Sequence, residues 1–190
     1  MKENADILRE YVNDALLLES RILQSLERQT RDDRVRRHRD AYELLLRVEL
    51  TLSGHTLALE RHLATINGGS ESFIRKAAAT AVDVASAFYE RARADEGVTK
   101  ALRDDCSALN QAAITYSMLH TAGLALEAPE LADLAFRHLT ELTPFVVSLS
   151  RIIPGVVAKE LSREGIALDV SAAAQAAENT QKAWGHEYIH

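Results

Sequence analysis

The sequence predicts an all-α fold, an antiparallel bundle of long helices, and three observations support this prediction. Only 3 prolines and 8 glycines occur among 190 residues, and they largely separate long stretches of Ala, Leu, Glu and Arg, which are strong helix formers. Within those stretches, apolar residues recur every three or four positions, as on one face of a helix. No stretch reads convincingly as a strand, and short turns between helices favour antiparallel neighbours.

The first two long helices are predicted at about residues 4–30 and 35–66, joined by a polar turn at 31–33. The apolar stripe of the first helix is Leu8, Tyr11, Ala15, Leu18, Ile22 and Leu26. The stripe of the second helix is Ala41, Leu45, Val48, Leu52, His55, Leu59 and Leu63. The sequence Asn67-Gly68-Gly69 is a strong C-terminal stop for this helix.

A third, shorter helix is predicted at about 71–94, with Ser70 as its N-cap, and a fourth from a cap at Thr99 to about Glu127. The inner face of the fourth helix is predicted to be Leu102, Cys106, Leu109, Ala113, Tyr116, His120 and Leu124.

Pro129 is predicted to start the fifth helix, because the first turn does not need the N–H that proline lacks. Its predicted stripe is Leu131, Leu134, His138, Leu142, Phe145, Leu149 and Ile152. Pro144 should bend this helix, and Pro154-Gly155 should end or sharply kink it. We expect residues 1–165 to form one bundle domain, with 166–190 as a C-terminal extension that contains a helix at 171–184 and ends in a tail.

Composition excludes several function classes. A net charge of -6 argues against general nucleic-acid binding, because phosphate neutralisation needs an excess of Lys and Arg. The single cysteine, Cys106, cannot form an internal disulfide and fits a reducing cytoplasm. We expect no membrane span and no targeting segment. Phosphate-binding loops, Ser-His-Asp order and zinc-protease motifs are all missing from the sequence, so hydrolase and kinase functions have no support.

Three carboxylates lie within apolar helical stripes. Glu19, Glu49 and Glu141 are each flanked, one turn away, by apolar or histidine residues. A buried carboxylate without a partner is costly, so this placement indicates a metal, a hydrogen-bonding partner or a cavity. The chain therefore reads as a helical bundle with a polar centre.

The helix order and several short segments resemble the YciE/YciF-type stress proteins of the ferritin-like superfamily, over roughly residues 5–160. The segments that carry the resemblance are YVNDALLLESRIL, VELTLSGHTLALERHL, TKALRDDCSALNQAAITYSMLHTAGLALE and ADLAFRHLTELTPFVVSL. The resemblance implies a ferritin-like antiparallel four-helix bundle with an extra short helix in the crossover. It also implies an association with bacterial stress response and a cytoplasmic homodimer, with another protein partner possible.

The resemblance further implies a metal site, at which Glu19, Glu49, Glu141 and His138 would hold Fe or Mn. In such bundles, two helices each supply a Glu and two supply a Glu-x-x-His pair. This chain departs from that pattern, since Leu52 stands three residues after Glu49 and residues 114–117 contain no carboxylate. A complete two-metal site is therefore not expected.

The same residues have a second interpretation. A buried Glu and a His hydrogen-bond each other as readily as they chelate an ion, and Glu141 has His138 one turn away. His55, His120 and Tyr116 are candidates for further polar groups in the core. His55 points about 120° away from Glu49 around its helix, so these two side chains do not easily share an ion.

Three candidate functions follow. The first is a stress-associated ferritin-like bundle that is non-catalytic or binds metal weakly, with either no cofactor or Fe or Mn at an incomplete site, and that acts through assembly or partner contacts. The alternative is an Fe or Mn carboxylate enzyme, an oxidase or a peroxide-consuming protein. A bundle cavity that holds an apolar ligand is a third option.

Overall fold

The computed structural model describes residues 3–66, 97–167, 169 and 171–185, and every regular element among them is a helix. The helices are α1 (Asn4–Gln29), α2 (Asp33–Arg36), α3 (Arg39–Ile66), α4 (Val98–Ala125), α5 (Pro129–Arg163) and α6 (Ala172–Trp184). The all-α prediction is thus confirmed for this part of the chain. The helix predicted at 71–94 and the tail at 186–190 lie outside it.

The four long helices share one core. Helix α1 packs against α3 and α4, and α5 packs against the same two helices, so each long helix has two long neighbours. The largest fully buried side chains come from all four of them and are mostly leucines, with Tyr116 the largest. Helix α6 packs on α5, but none of its own residues is buried.

The predicted core face is confirmed in full for α3, where all seven stripe residues are buried. In α1 the buried face includes Val12 and Glu19 in place of Tyr11 and Leu18. In α4 the buried face is Leu102, Asp105, Leu109, Ala112, Tyr116, Leu119 and Gly123. The predicted face of α4 was therefore wrong at Leu124, which is exposed, and one position out at Cys106 and Ala113, which are half-buried.

Helix α5 does not end at Pro154-Gly155, so the predicted helix end at that position was wrong. The helix continues from Pro129 to Arg163 with both Pro144 and Pro154 inside it. Beyond Pro154, Val156 is buried in the core, and Glu160 receives hydrogen bonds from Thr99, 2.6 Å from Thr99 Oγ1 and 3.3 Å from its backbone N–H. We attribute the continuation to these contacts, which offset the hydrogen bond that a proline removes.

Helix α4 starts at Val98, one residue before Thr99. The prediction that Thr99 is its N-cap was therefore wrong. The N-cap position is occupied by Gly97, which has no side chain that could accept a capping hydrogen bond. The carboxylate of Glu160, from the last turns of α5, meets the first turn of α4 instead and places a negative charge at the positive end of that helix.

One described helix, α5, is long and apolar enough to cross a membrane by length and composition alone. The same helix packs against α3, α4 and α6, and it buries Leu142, Leu149 and Val156 in the core. Of its most apolar 18-residue window, 28% is buried inside the bundle.

Candidate functional site: a buried acid–histidine cluster

Five polar side chains meet in the middle of the bundle, and all four long helices contribute to them. They are Glu19 of α1, His55 of α3, Tyr116 of α4, and His138 and Glu141 of α5. We call these five residues the polar cluster. Each of them replaces an apolar residue on or beside a leucine-rich stripe, which explains why the folding of the helices brings them together.

His55 is the centre of the cluster. Its Nδ1 lies 3.0 Å from Oε1 of Glu19, and its Nε2 lies 2.8 Å from Oε2 of Glu141. The side chains of His55 and Glu19 are almost completely buried, whereas that of Glu141 is 48% exposed. The imidazole therefore joins an interior carboxylate to one at the protein surface.

The second histidine stacks on the first. The rings of His55 and His138 are nearly parallel, with centroids 3.7 Å apart. Tyr116 meets both rings edge-on, and its hydroxyl lies 3.0 Å from Nδ1 of His138. Tyr116 thus contacts both histidines of the cluster.

The geometry of His55 requires an additional proton. An imidazole that hydrogen-bonds a carboxylate at each nitrogen must carry two N–H groups, or one carboxyl must be protonated. Burial lowers the pKa of His55, but the hydrogen bonds and charges of Glu19 and then Glu141 raise it above its usual value overall. Burial also raises the pKa of Glu19, against the opposing effects of His55 and Tyr116. Both shifts retain the proton within the Glu19–His55–Glu141 triad.

The pKa of His138 is shifted in the opposite direction to that of His55. Burial, followed by the positive charge of His55 and then that of Arg137, lowers the pKa of His138 to about 3. Burial and the charge of Glu19 raise the pKa of Tyr116 well above its usual value. The cluster therefore combines a protonated triad with a neutral histidine and a neutral tyrosine.

The structure places the remaining predicted site residues elsewhere. Oε2 of Glu49 accepts a hydrogen bond of 3.0 Å from the Thr30 hydroxyl, just beyond the end of α1. Thr30 is eleven residues from Glu19, or about 16 Å along a helix. His120 is half-buried, and its Nδ1 lies 2.8 Å from the carbonyl oxygen of Ala132. Glu49 and His120 are therefore not part of the polar cluster.

The donor geometry limits the chemistry available. No group of three or more His, Cys, Asp or Glu side chains is arranged to hold a metal ion, as far as the described part of the chain extends. By distance and angle, Oε2 of Glu19 is buried without a hydrogen-bonding partner among the described residues, although Tyr116 lowers the pKa of the same carboxyl through a side-chain hydrogen bond. Among the atoms of the cluster, Oε2 of Glu19 is the one buried atom whose hydrogen bonding is incomplete by geometry.

Sequence reasoning missed a second buried polar contact. Asp105 is almost fully buried, and its Oδ1 accepts a hydrogen bond of 2.8 Å from Nε2 of Gln29. The signal was present, since Asp105 is three and four residues from Leu102 and Leu109. The neighbouring Cys106 is half-buried, and burial raises the pKa of its thiol, as expected of an unreactive cysteine.

The fold and the cluster define a class, namely an all-helical protein with a buried acid–histidine centre. No protein-family model, curated protein or solved structure matches the chain significantly.

The neutral state of His138 predicts a loss of stability in acid. An unfolded histidine takes up a proton near pH 6.5, whereas folded His138 stays neutral to about pH 3, so stability falls as the pH drops through that window. Between pH 7 and pH 5, the wild type should lose about 1–2 kcal/mol of unfolding free energy because of His138. The variant His138→Gln should not show this loss. Urea denaturation at both pH values measures it.

Tyr116→Phe is the matched control for this experiment. It removes the hydroxyl that contacts His138 but leaves the buried imidazole in place, so the acid sensitivity should remain. An equal pH dependence in the wild type and His138→Gln would show that His138 is not the acid-sensitive group.

Proposed function

We propose that this protein is a ferritin-like helical bundle protein, associated with stress response, that acts through assembly or partner contacts and not through catalysis. The observation that carries the proposal is the Glu19–His55–Glu141 triad. In it, the groups that would serve as metal ligands or as acid–base catalysts hydrogen-bond each other. The polar centre then works as a structural element of the core.

Two features support the ferritin-like architecture. Helices α1 and α5 each pack against both α3 and α4, and the polar groups come from the middle of all four helices, where ferritin-like proteins build their sites. The sequence resemblance to the YciE/YciF type points in the same direction. The stress association and the cytoplasmic location rest on that resemblance and on the single cysteine.

The non-catalytic role follows from the donor set. A redox metal site needs about three convergent protein ligands and an open coordination position. Here both nitrogens of His55 already face carboxylates, and Glu49 bonds Thr30 at a distance from the cluster. An ion bound through His55 would have to replace one of its two hydrogen bonds.

Metal analysis of the purified protein, expressed with and without added Fe and Mn, tests the proposal. We expect well under one ion per chain in every preparation, and no change of metal content in Glu19→Gln or Glu141→Gln. Near-stoichiometric metal that disappears in both variants would overturn the non-catalytic role.

One observation favours a second candidate, an Fe or Mn carboxylate enzyme. The buried Oε2 of Glu19 has no hydrogen-bonding partner by geometry among the described residues. Glu19, Glu141 and His138 would then be the ligands, without Glu49. This candidate predicts oxygen or peroxide consumption that depends on added metal and is lost in Glu19→Gln.

A further inference from the structure

His38 is a buried side chain with one hydrogen-bonding atom unused. It directly precedes Arg39, the first residue of α3, and only 1% of it is exposed. Its Nε2 lies 3.4 Å from Nη1 of Arg163, in the last turn of α5. Its Nδ1, the ring nitrogen nearer the backbone, is buried and has no hydrogen-bonding partner in the part of the chain that the structure describes.

The contact with Arg163 decides which ring nitrogen of His38 carries the proton. A guanidinium has only N–H donors, so Nε2 must accept and Nδ1 must carry the hydrogen. Burial, and then the positive charges of Arg163 and Lys159, lower the pKa of His38, which keeps the ring in this neutral form. The unused atom is therefore a donor, and buried donors in native proteins nearly always have an acceptor.

Further hydrogen-bond donors lie at the same place. The first N–H groups of an α-helix have no acceptor within the helix, and they form its positive end. The N–H of Tyr42 donates to the carbonyl of His38, at 3.0 Å, so the free groups of α3 are those of residues 39–41. Because the far nitrogen of His38 is turned toward α5, Nδ1 stays at the start of α3. Helix N-termini of this kind are common binding sites for anions.

Three positively charged side chains surround His38. Arg163, Lys159 and Arg37 each lower its pKa through their charge, and Glu160 opposes them. The two oxygens of Glu160 are already hydrogen-bonded at the start of α4. The three cations are exposed, so they can turn toward a ligand and uncover the imidazole. We call His38 and these three cations the basic corner.

Other arginines of this turn are left out of the basic corner, because each already contacts an acidic side chain. Arg37 also lies near Asp32, but that carboxylate is hydrogen-bonded to Arg34. Asp40, in the first turn of α3, is exposed. Three cations against Glu160 and Asp40 leave an excess of positive charge. The pairs that are left out are Arg34 with Asp32, Arg36 with Asp33 and Arg39 with Glu43.

We propose that the basic corner and the N-terminus of α3 bind an oxyanion of the phosphate class. The donors come from α5 and from the start of α3, which suits a tetrahedral ion, whose oxygens face several directions, better than a planar carboxylate. Arginine side chains and helix N-termini are both well suited to phosphate. The site lies at the end of the bundle, apart from the polar cluster, so it goes beyond the proposed function and can fail independently of it.

A titration with inorganic phosphate, followed by amide NMR at pH 7 and constant ionic strength, tests the site. We expect saturable shifts of the backbone N–H signals of residues 39–41 and of the His38 ring, with one ion bound per chain. An unchanged spectrum would overturn the proposal. Shifts that never saturate, or that are equal all over the surface, would indicate a general salt effect and would overturn it as well.

Arg163→Gln tests the contribution of α5. The side chain is exposed, so the variant should fold, and it should raise the phosphate dissociation constant about tenfold, as expected for one charge-assisted hydrogen bond. The matched control is Arg151→Gln, which removes an exposed charge of the same helix about 18 Å away and should leave the constant unchanged. Equal weakening by both changes would show that net charge alone attracts the ion.

Two substitutions of His38 test the buried donor. His38→Phe keeps an aromatic ring but has no N–H, so it should weaken phosphate binding about tenfold. His38→Asn retains an amide donor close to the position of Nδ1, so it should retain most of the affinity. Unchanged affinity in His38→Phe would overturn the role of this donor. The Arg163→Gln comparison remains decisive if a change at this buried position prevents folding.

Two further titrations define the ligand. Acetate should bind clearly more weakly than phosphate, and equal affinity would overturn the phosphate class. O-phosphoserine, a phosphomonoester, separates the two sources of that chemistry. Binding at least as tight as that of inorganic phosphate would support a phosphorylated molecule as the ligand, whereas weaker binding would support the free ion.

Discussion

Replacing His55 with leucine is expected to lower the free energy of unfolding by about 3 kcal/mol at pH 7. The change preserves most of the side-chain volume, but it removes the imidazole whose Nδ1 lies 3.0 Å from Oε1 of the buried Glu19. A buried carboxylate left without its partner is among the most destabilising single changes, of order 3–5 kcal/mol. Urea denaturation measures the loss.

Two comparisons identify the cause of that loss. Adding Glu19→Leu to His55→Leu should recover most of the stability, because a buried pair replaced by apolar side chains leaves nothing uncompensated. Glu141→Gln changes the other carboxylate on the same imidazole, but Glu141 is half-exposed, so it should cost no more than about 1 kcal/mol. A loss below 1 kcal/mol in His55→Leu would show that the triad contributes little.

The effect should also depend on pH. Burial raises the pKa of Glu19 and His55 opposes that shift, so removing His55 should raise the pKa of this carboxyl further and make it easier to neutralise in acid. The cost of His55→Leu should therefore be smaller at pH 5 than at pH 7. A cost that is unchanged between these pH values would mean that the lost contact is one of packing and not of charge.

Gly123→Ala should cost about 2–3 kcal/mol, the second-largest effect. A Cβ at position 123 would lie 2.8 Å from the backbone nitrogen and 3.0 Å from the Cα of Ala132. Backbone atoms cannot rotate away as a side chain does, so α4 and α5 would have to separate, and overpacking of this kind typically costs 1–3 kcal/mol. Thermal or urea unfolding measures the change.

Gly155→Ala is the matched control. It adds the same methyl group within α5, but nothing lies within 4 Å of the new atom. The lower conformational entropy of alanine in the unfolded chain should stabilise the protein by about 0.5–1 kcal/mol. Destabilisation by both changes would indicate that glycine is needed for backbone conformation and not for close helix packing.

The sequence predicted the buried face of a helix well where apolar and polar positions differ clearly along that helix. Helix α3 has a leucine or valine at most inner positions, and all seven residues of its predicted stripe are buried, with Leu44 buried beside them. Helix α4 offers neighbouring alanines at 112 and 113, which fit either of two faces about 100° apart. Only packing against α1 and α5 decides between them.

The polar cluster was predicted in part for the same reason. Glu19 and His138 stand on apolar stripes, and the structure buries both. Glu49 has a similar sequence context, but His55 already occupies the centre of α3 and Glu49 points about 120° away from it. No periodicity reveals that Thr30, beyond the end of another helix, supplies its hydrogen bond.

The long unbroken course of α5 also fixes distances at one end of the bundle. Its single register carries both His138, in the polar cluster, and Glu160, at the first turn of α4, over a rise of about 33 Å. A one-residue insertion between them would turn Glu160 by about 100° and leave the start of α4 without its carboxylate. The helical segment 139–159 therefore keeps His138 and Glu160 at a fixed distance and orientation. Substitutions in it should be tolerated far more readily than insertions or deletions.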